Sequence, residues 1–145
     1  MGHHIDAIDK PGLLIRFMRA FQGDTSYIAL EGHLSSYDLT ALEYASLHET
    51  ASLKRQTISP ILDFVVAPLT SQNIEVISKA VQRKDGISKH SGLIHVQISK
   101  DDKLVFGGYD NFDRDCVFVD GLSEELLTAL KQKNMIRGFE PAVDA

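Results

Sequence analysis

The clearest structural signal in this 145-residue chain is the segment LIHVQISKDDKLVF, residues 93–106. After Leu93, apolar and polar side chains alternate as far as Ser99, which places Ile94, Val96 and Ile98 on one face of a strand. The sequence Lys-Asp-Asp-Lys then predicts a tight turn, and Leu-Val-Phe returns the chain as a second strand. The segment therefore predicts an antiparallel hairpin with one apolar face that needs a covering layer.

Three other segments carry apolar residues at helical spacing and have recognisable ends. The first begins at Asp9-Lys10-Pro11 and ends before Gly23, the second begins at Thr70 or Ser71 and ends before Gly86, and the third begins after Ser123. Acidic residues start the third segment and lysines end it, and this charge order suits the helix dipole. The sequence therefore predicts three amphipathic helices.

The middle of the chain supports two further predictions. A short helix is expected after Ser35 or Thr40, because each residue stands three positions before an acidic residue. Residues 46–59 follow neither period and are expected to be irregular. Residues 61–67 are apolar on both faces and lie between two prolines, which predicts a strand in the interior of the sheet.

The order of these elements predicts the fold class. Short strands are also expected near residues 25–30, 116–119 and 136–139. Helices and hairpins follow one another without a repeating strand–helix–strand rhythm, so we expect one α+β domain over residues 1–145, a mostly antiparallel sheet with helices packed on one face. Residues 1–9 are expected to be disordered or derived from a vector.

Composition excludes several classes of function. A formal net charge of -5 argues against general binding of nucleic acid, which needs dense Lys and Arg. No apolar run approaches the ~20 residues that a membrane span requires. The single cysteine, Cys116, allows no intramolecular disulfide and fits a reducing compartment, so a cytoplasmic location is expected. No complete catalytic or cofactor motif occurs, so no cofactor is predicted.

Several polar residues are catalytic candidates on the pattern alone. Glu31 and His33 are two residues apart, which on an extended chain directs both side chains the same way, as a general base with its orienter or two metal ligands would require. The alternative is that Glu31 and His33 lie at a strand end and simply face solvent. Asp63 stands in an apolar strand, where a carboxylate must have a structural partner or a catalytic role.

The segment GGYDNFDRDC, residues 107–116, joins two predicted strands and is rich in acidic residues. A simple hairpin register, with Ser99 opposite Leu104, places His95 opposite Gly108 at the root of this loop. His95 is therefore a catalytic candidate, and His95, Asp110, Asp113 and Asp115 are candidate ligands for calcium or magnesium. The acidic spacing does not match an EF-hand, and a solvated turn is the simplest interpretation.

The same loop is a candidate surface for a protein partner. Exposed aromatic residues among carboxylates suit a basic partner, because charge speeds encounter and aromatic side chains carry binding energy. The proposed contact residues are Tyr109, Asp110, Phe112, Asp113 and Asp115. A homo-oligomer is compatible with the sequence.

Two functional hypotheses follow. The first is a non-enzymatic protein-binding module of the inhibitor, immunity or regulatory type that uses the acidic loop. The alternative is a metal-dependent or hydrolase-like enzyme with a site around His95 and residues 110–115. The first is favoured because catalytic constellations normally leave a recognisable motif, and none is complete here.

Overall fold

The computed structural model describes residues 2–82, 86–88 and 91–142. A seven-stranded sheet with three α-helices forms over these residues, which confirms the predicted α+β class. The strands are β1 (Gly2–Ala7), β2 (Ser26–Gly32), β3 (Asp63–Pro68), β4 (Leu93–Lys100), β5 (Lys103–Gly108), β6 (Val117–Asp120) and β7 (Ile136–Pro141). The helices are α1 (Lys10–Phe21), α2 (Ser71–Gln82) and α3 (Glu124–Gln132). The strand order is β3-β2-β4-β5-β6-β1-β7, and every neighbouring pair is antiparallel.

The three helices begin at the predicted caps and share one face of the sheet. Asp9 accepts a hydrogen bond from the Gly12 N–H at 3.0 Å, and Ser123 accepts one from the Leu126 N–H at 3.2 Å. The buried faces of all three helices belong to the same apolar core as the facing sheet residues, such as Ile98 and Phe106. Among the described residues, no helix has both the length and the apolar character needed to cross a membrane.

The second face of the sheet has a different cover. Residues 38–62, here called the covering segment, lie over β3, β2 and β4 without forming a regular helix or strand. Leu53 is fully buried there against Ala29, Phe64 and Val66. The predicted irregularity of residues 46–59 is confirmed.

The short helix predicted after Ser35 or Thr40 is wrong. A three-residue 3₁₀ turn at Leu34–Ser36 is the only helical turn between β2 and β3. The Asp38 carboxylate accepts hydrogen bonds from the N–H and the hydroxyl of Thr40. Side-chain bonds of this kind stabilise local turns at the expense of a helix.

β3 lies at one edge of the sheet, so the interior position predicted for residues 61–67 is wrong. The strand is apolar on both faces because the helices cover one face and the covering segment covers the other. Its outer edge is partly closed by Ser46, whose backbone N–H and C=O pair with those of Val66 at 2.8 and 2.7 Å. A strand can thus be covered on both faces of the sheet and still lack a neighbouring strand along one edge.

The β4–β5 hairpin forms as predicted, but a bulge changes its register. Ser99 pairs with Leu104 as expected, whereas Ile98 then pairs with Phe106 and Gln97 with Gly107. The extra residue in β5 moves every later pairing by one position. His95 therefore lies beyond Gly108, beside the acidic loop itself.

The first residues of the chain belong to the sheet, which corrects the expectation of disorder before residue 10. β1 lies between β6 and β7 and pairs with both. Its Ile5 is 2 % exposed and belongs to the core beneath the helices. A six-residue strand containing two histidines and an aspartate carries little apolar pattern, so its position depends on partners more than 100 residues later.

Candidate functional site

His95 lies on β4, facing the covering segment, with only 5 % of its surface exposed. Its Nδ1 accepts a hydrogen bond from the backbone N–H of Asp110 at 3.2 Å. Its Nε2 lies 2.9 Å from the Thr57 hydroxyl. An Nδ1 that accepts a backbone N–H carries no proton, so the neutral ring has its proton on Nε2 and donates it to Thr57. Both ring nitrogens are therefore occupied.

Glu31 is the neighbour of His95 across the β2–β4 pair and is 2 % exposed. Its two carboxylate oxygens accept the backbone N–H groups of Gln56 at 2.8 Å and Thr57 at 3.1 Å. Hydrogen bonds to a charged acceptor are about twice as strong as neutral ones. Glu31 therefore fastens the covering segment to the sheet.

Gln97 completes this buried polar layer on β4. Its side-chain oxygen accepts the Lys54 N–H at 3.1 Å, and its amide donates to the Tyr109 hydroxyl at 3.2 Å. Glu31, His95 and Gln97, here called the polar clamp, thus hold the covering segment on one side. His95 and Gln97 also hold the start of the acidic loop on the other side.

The other two catalytic candidates lie apart from the clamp. His33 is exposed, because Gly32 adopts a φ of 153° at a bulge and turns the chain away from the strand direction. The geometry expected for Glu31 and His33 on an extended chain is therefore absent. Asp63 is exposed at the start of β3, and its carboxylate accepts the Leu34 N–H at 3.0 Å. Asp63 therefore has a structural partner, the 3₁₀ turn at Leu34–Ser36.

Residues 109–116, here called the acidic loop, form a tightly hydrogen-bonded turn rather than an extended, projecting loop. Three consecutive residues, Asp110–Phe112, have left-handed φ angles of 51°, 60° and 58°. The Asn111 side chain donates to the Leu93 carbonyl at 2.7 Å, and the Asn111 backbone carbonyl accepts a hydrogen bond from the Lys10 ammonium at 2.9 Å. The N–H of Tyr109 and the C=O of Cys116 close the loop at 2.9 Å.

The candidate partner-binding residues divide into two groups. Asp110, Asp113 and Asp115 are exposed. Phe112 is 1 % exposed and packs edge-on against Phe106 in the core, so the expected exposure of this aromatic ring is wrong. The reason is the left-handed turn, which directs the ring inward over Gly108, where only a glycine leaves room for it.

Tyr109 is half-buried rather than freely exposed. Its ring lies over Gly107, where a Cβ atom would overlap it. The ring centroid is 5.9 Å from that of His95. Tyr109 therefore joins the acidic loop to the polar clamp, with part of its ring facing solvent.

Metal binding and thiol chemistry find little support in this geometry. Within the described ranges, no group of three or more His, Cys, Asp or Glu side chains is arranged to hold a metal ion. Burial raises the pKa of the Cys116 thiol, and the nearby carboxylates of Asp110, Asp113 and Asp115 raise that pKa further. A raised pKa leaves less thiolate at neutral pH, and the thiolate is the nucleophile.

The sequence did not indicate the apolar side chains that the covering segment exposes. Four of the six large apolar residues left exposed on the described surface lie in this segment: Tyr44, Leu47, Ile58 and Ile61. Their spacing has no period, so no pattern distinguished them from core residues. Ile58 directly follows Thr57, and a single imidazole ring connects Thr57 to Asp110. The residue that precedes Ile58 in the chain is thus held beside the acidic loop.

Comparison with known proteins gives no family for this chain: no family model matches it, and no curated protein or solved structure matches it. Function must therefore be inferred from the site itself. The polar clamp holds two parts of the chain, the acidic loop and residues 54–57 of the covering segment, and its own polar atoms are engaged in holding them.

Proposed function

We propose that the protein is a non-enzymatic protein-binding module of the inhibitor, immunity or regulatory type, and that its partner is basic. The proposed contact surface consists of Asp110, Asp113 and Asp115 together with Ile58. One observation carries the proposal: His95 bonds to Thr57 with one nitrogen and to Asp110 with the other, and so holds the residue before Ile58 beside the acidic loop.

The acidic part of this surface is suited to a cationic partner. No ion pair to Asp110, Asp113 or Asp115 occurs among the residues that the structure describes. Their backbone is already fixed by the bonds within the loop and to His95, so little conformational entropy is lost on binding. Fixed charges of one sign also speed the encounter with a partner of opposite charge.

The apolar part of the proposed surface adds a hydrophobic contribution to the binding free energy, which charge alone does not provide. Ile58 is 84 % exposed, and the backbone N–H groups of the two residues before it are bonded to Glu31. Fully burying such a side chain contributes roughly 1.5–3 kcal/mol. A partner with an apolar residue among its cations would gain this term as well as the electrostatic attraction.

No observation favours the enzymatic alternative around His95 and residues 110–115. A general base needs a nitrogen or carboxylate free to take a proton from substrate. His95 and Glu31 are buried, and their acceptor atoms are occupied by backbone N–H groups or by Thr57. We further propose a cytoplasmic location, because the lone Cys116 fits a reducing compartment.

Affinity capture from an extract of the source cells tests the function. We expect the chain to retain a basic protein, and the triple change Asp110→Asn, Asp113→Asn and Asp115→Asn to release it. The matched control removes three exposed charges elsewhere, by Asp24→Asn, Asp102→Asn and Glu125→Gln, and should keep the partner.

Ile58→Ser tests the apolar part in the same experiment and should weaken retention without altering the melting temperature. Equal recovery by the wild-type chain and the loop triple variant would contradict the proposed surface. Equal loss by the loop variant and its matched control would show that net charge alone is recognised, which also contradicts it.

A further inference from the structure

The His95 ring can keep both of its hydrogen bonds only while it is neutral. Its Nδ1 accepts the Asp110 backbone N–H at 3.2 Å, and its Nε2 lies 2.9 Å from the Thr57 hydroxyl. An imidazolium carries a proton on both nitrogens and accepts no hydrogen bond. A proton on Nδ1 would point at the Asp110 N–H, so protonation of the ring and this contact exclude each other.

The titratable groups of the sheet and the acidic loop surround the ring on two sides. On β2, the Glu31 carboxylate is the cross-strand neighbour, and both its oxygens accept backbone N–H groups. Among the described residues no ion pair joins it to His95. From the acidic loop, the Tyr109 ring centroid lies 5.9 Å away, and the Asp110 carboxylate is bonded to the Cys116 thiol at 3.8 Å.

The covering segment contacts the ring through an uncharged group, the Thr57 hydroxyl. Lys54 is exposed, and the Arg55 guanidinium lies 4.9 Å from the Phe64 ring centroid. Glu31 is therefore the neighbour whose charge attracts an imidazolium, whereas the Asp110 N–H opposes the Nδ1 proton. Proton uptake thus favours a ring that stays on the sheet and loses its contact with the loop.

The start of the acidic loop is held in an unfavourable backbone conformation. Asp110, Asn111 and Phe112 have φ angles of 51°, 60° and 58°. Left-handed backbone persists at residues other than glycine only where the surrounding contacts enforce it. The bond from Asp110 to His95 is one such contact, and the Asn111 bond to the Leu93 carbonyl is another. Loss of the first contact therefore shifts residue 110 towards other conformations.

We propose that His95 is a pH-sensitive switch, which releases the start of the acidic loop from the covering segment when Nδ1 gains a proton. Histidine is the side chain whose ordinary charge change falls between about pH 5 and 8. The closed form is favoured at neutral pH and is lost as the pH falls, because it accepts only the neutral ring. The switch is a property of the free chain and does not rest on the function proposed for the loop.

Amide hydrogen exchange followed by NMR tests the switch on the full chain. We compare protection at about pH 7.5 and about pH 5, each relative to the intrinsic exchange rate at that pH. The Asp110 N–H should lose about tenfold in protection, as for the loss of one hydrogen bond. The Ile98 N–H, inside the sheet between β2 and β5, should keep its protection. The ¹⁵N shifts of the His95 ring should show a bare Nδ1 at the higher pH and two protonated nitrogens at the lower.

His95→Asn separates the titration from the contact. Its amide oxygen can accept the Asp110 N–H near the position of Nδ1, but the side chain takes up no proton in this range. The Asp110 N–H should therefore stay protected at the lower pH. His33→Ala is the matched control, since His33 is exposed, and this variant should keep the full response.

The spectra of the wild-type chain decide the proposal even where His95→Asn does not fold. Unchanged protection of the Asp110 N–H, a His95 ring with its proton on Nδ1 at neutral pH, or an equal loss of protection at Ile98 would overturn it. A response that persists in the folded His95→Asn chain would assign the switch to another group and overturn it too.

Discussion

At the scale of single residues, the buried polar side chains of the second sheet face have a structural task. Glu31, His95 and Gln97 each bond to a backbone or side-chain group outside their own strands. The covering segment has no helix or strand ladder of its own to satisfy its backbone. Backbone N–H groups removed from water must find partners: Glu31 and Gln97 accept those of residues 54, 56 and 57, and His95 accepts that of Asp110 in the acidic loop.

Replacing His95 should therefore reduce stability. His95→Ala leaves the Asp110 N–H and the Thr57 hydroxyl without their partner, and a buried unsatisfied group costs about 1–3 kcal/mol. Urea unfolding should show a lower midpoint with an unchanged slope. His33→Ala, on the exposed histidine, should change the free energy of unfolding by less than ~0.5 kcal/mol. A His95→Ala chain as stable as the wild type would contradict the role of the ring as a connector.

Cys116 should react slowly with alkylating reagents at neutral pH. Burial and then the loop carboxylates raise the pKa of its thiol, so the thiolate fraction at a given pH is smaller than for a free cysteine. The rate of iodoacetamide modification, measured against pH, should reach half its maximum above the usual ~8.5.

The loop triple variant Asp110→Asn, Asp113→Asn and Asp115→Asn should shift that midpoint downward, because it removes the repulsion and leaves the burial. The control variant at Asp24, Asp102 and Glu125 should leave the midpoint in place. A midpoint below ~8.5 in the wild type would show that the carboxylates do not control the thiol.

At the scale of elements, the sequence was informative wherever a period existed. The alternation of residues 93–99 and the helical spacing after Asp9 gave β4 and α1 correctly. The bulge in β5 could not be predicted from the sequence. Leu104, Val105 and Phe106 are all apolar, so the pattern is the same with or without an extra residue. Even so, His95 was expected near the acidic loop, and the structure does place it there.

The conformation of the covering segment could not be predicted, because the interactions that hold it follow no sequence period. Its backbone is held by single bonds from distant strands, such as those from Glu31 to residues 56 and 57. A sequence read along the chain contains no signal for a partner about 25 positions away. The burial of Phe112 could not be predicted either, because it depends on the left-handed backbone of an Asp- and Asn-rich turn.

The bulge that ends β2 gives an element-scale prediction. Gly32 has a φ of 153°, and a Cβ atom there would overlap the Gly92 carbonyl oxygen. Gly32→Ala should therefore lower the free energy of unfolding by about 1–3 kcal/mol from the backbone strain, with a further loss from the overlap. Thermal unfolding measures this change.

Gly138 on β7 provides the comparison, since a Cβ atom added there meets no atom within 4 Å. Gly138→Ala should change stability by less than ~0.5 kcal/mol. Equal melting temperatures for the two alanine variants would show that the conformation of Gly32 is not required.

At the scale of the whole molecule, the first strand connects the last elements to the rest of the sheet. β1 is the only strand paired with β7 among the described residues, and it pairs with β6 on its other side. Removing residues 1–8 would therefore detach β7 and expose the core around Val119 and Ile136.

We expect such a deletion to abolish cooperative unfolding, since the loss is comparable with the ~5–15 kcal/mol that stabilises a typical domain. Far-UV circular dichroism and urea titration measure the effect. The full-length His4→Ala chain, altered on the half-buried side of the same strand, should still unfold cooperatively. A cooperative transition in the shortened chain would contradict the central role of β1.

The position of β1 also bears on how the chain is made. β1 is synthesised before both of its neighbours, residues 117–120 and 136–141, which follow more than 100 positions later in the chain. Strands β2, β4 and β5 are complete before either of these neighbours. During translation the nascent chain therefore carries β1 without its strand partners until β6 has been added, and the seven-stranded sheet is complete only once β7 has followed.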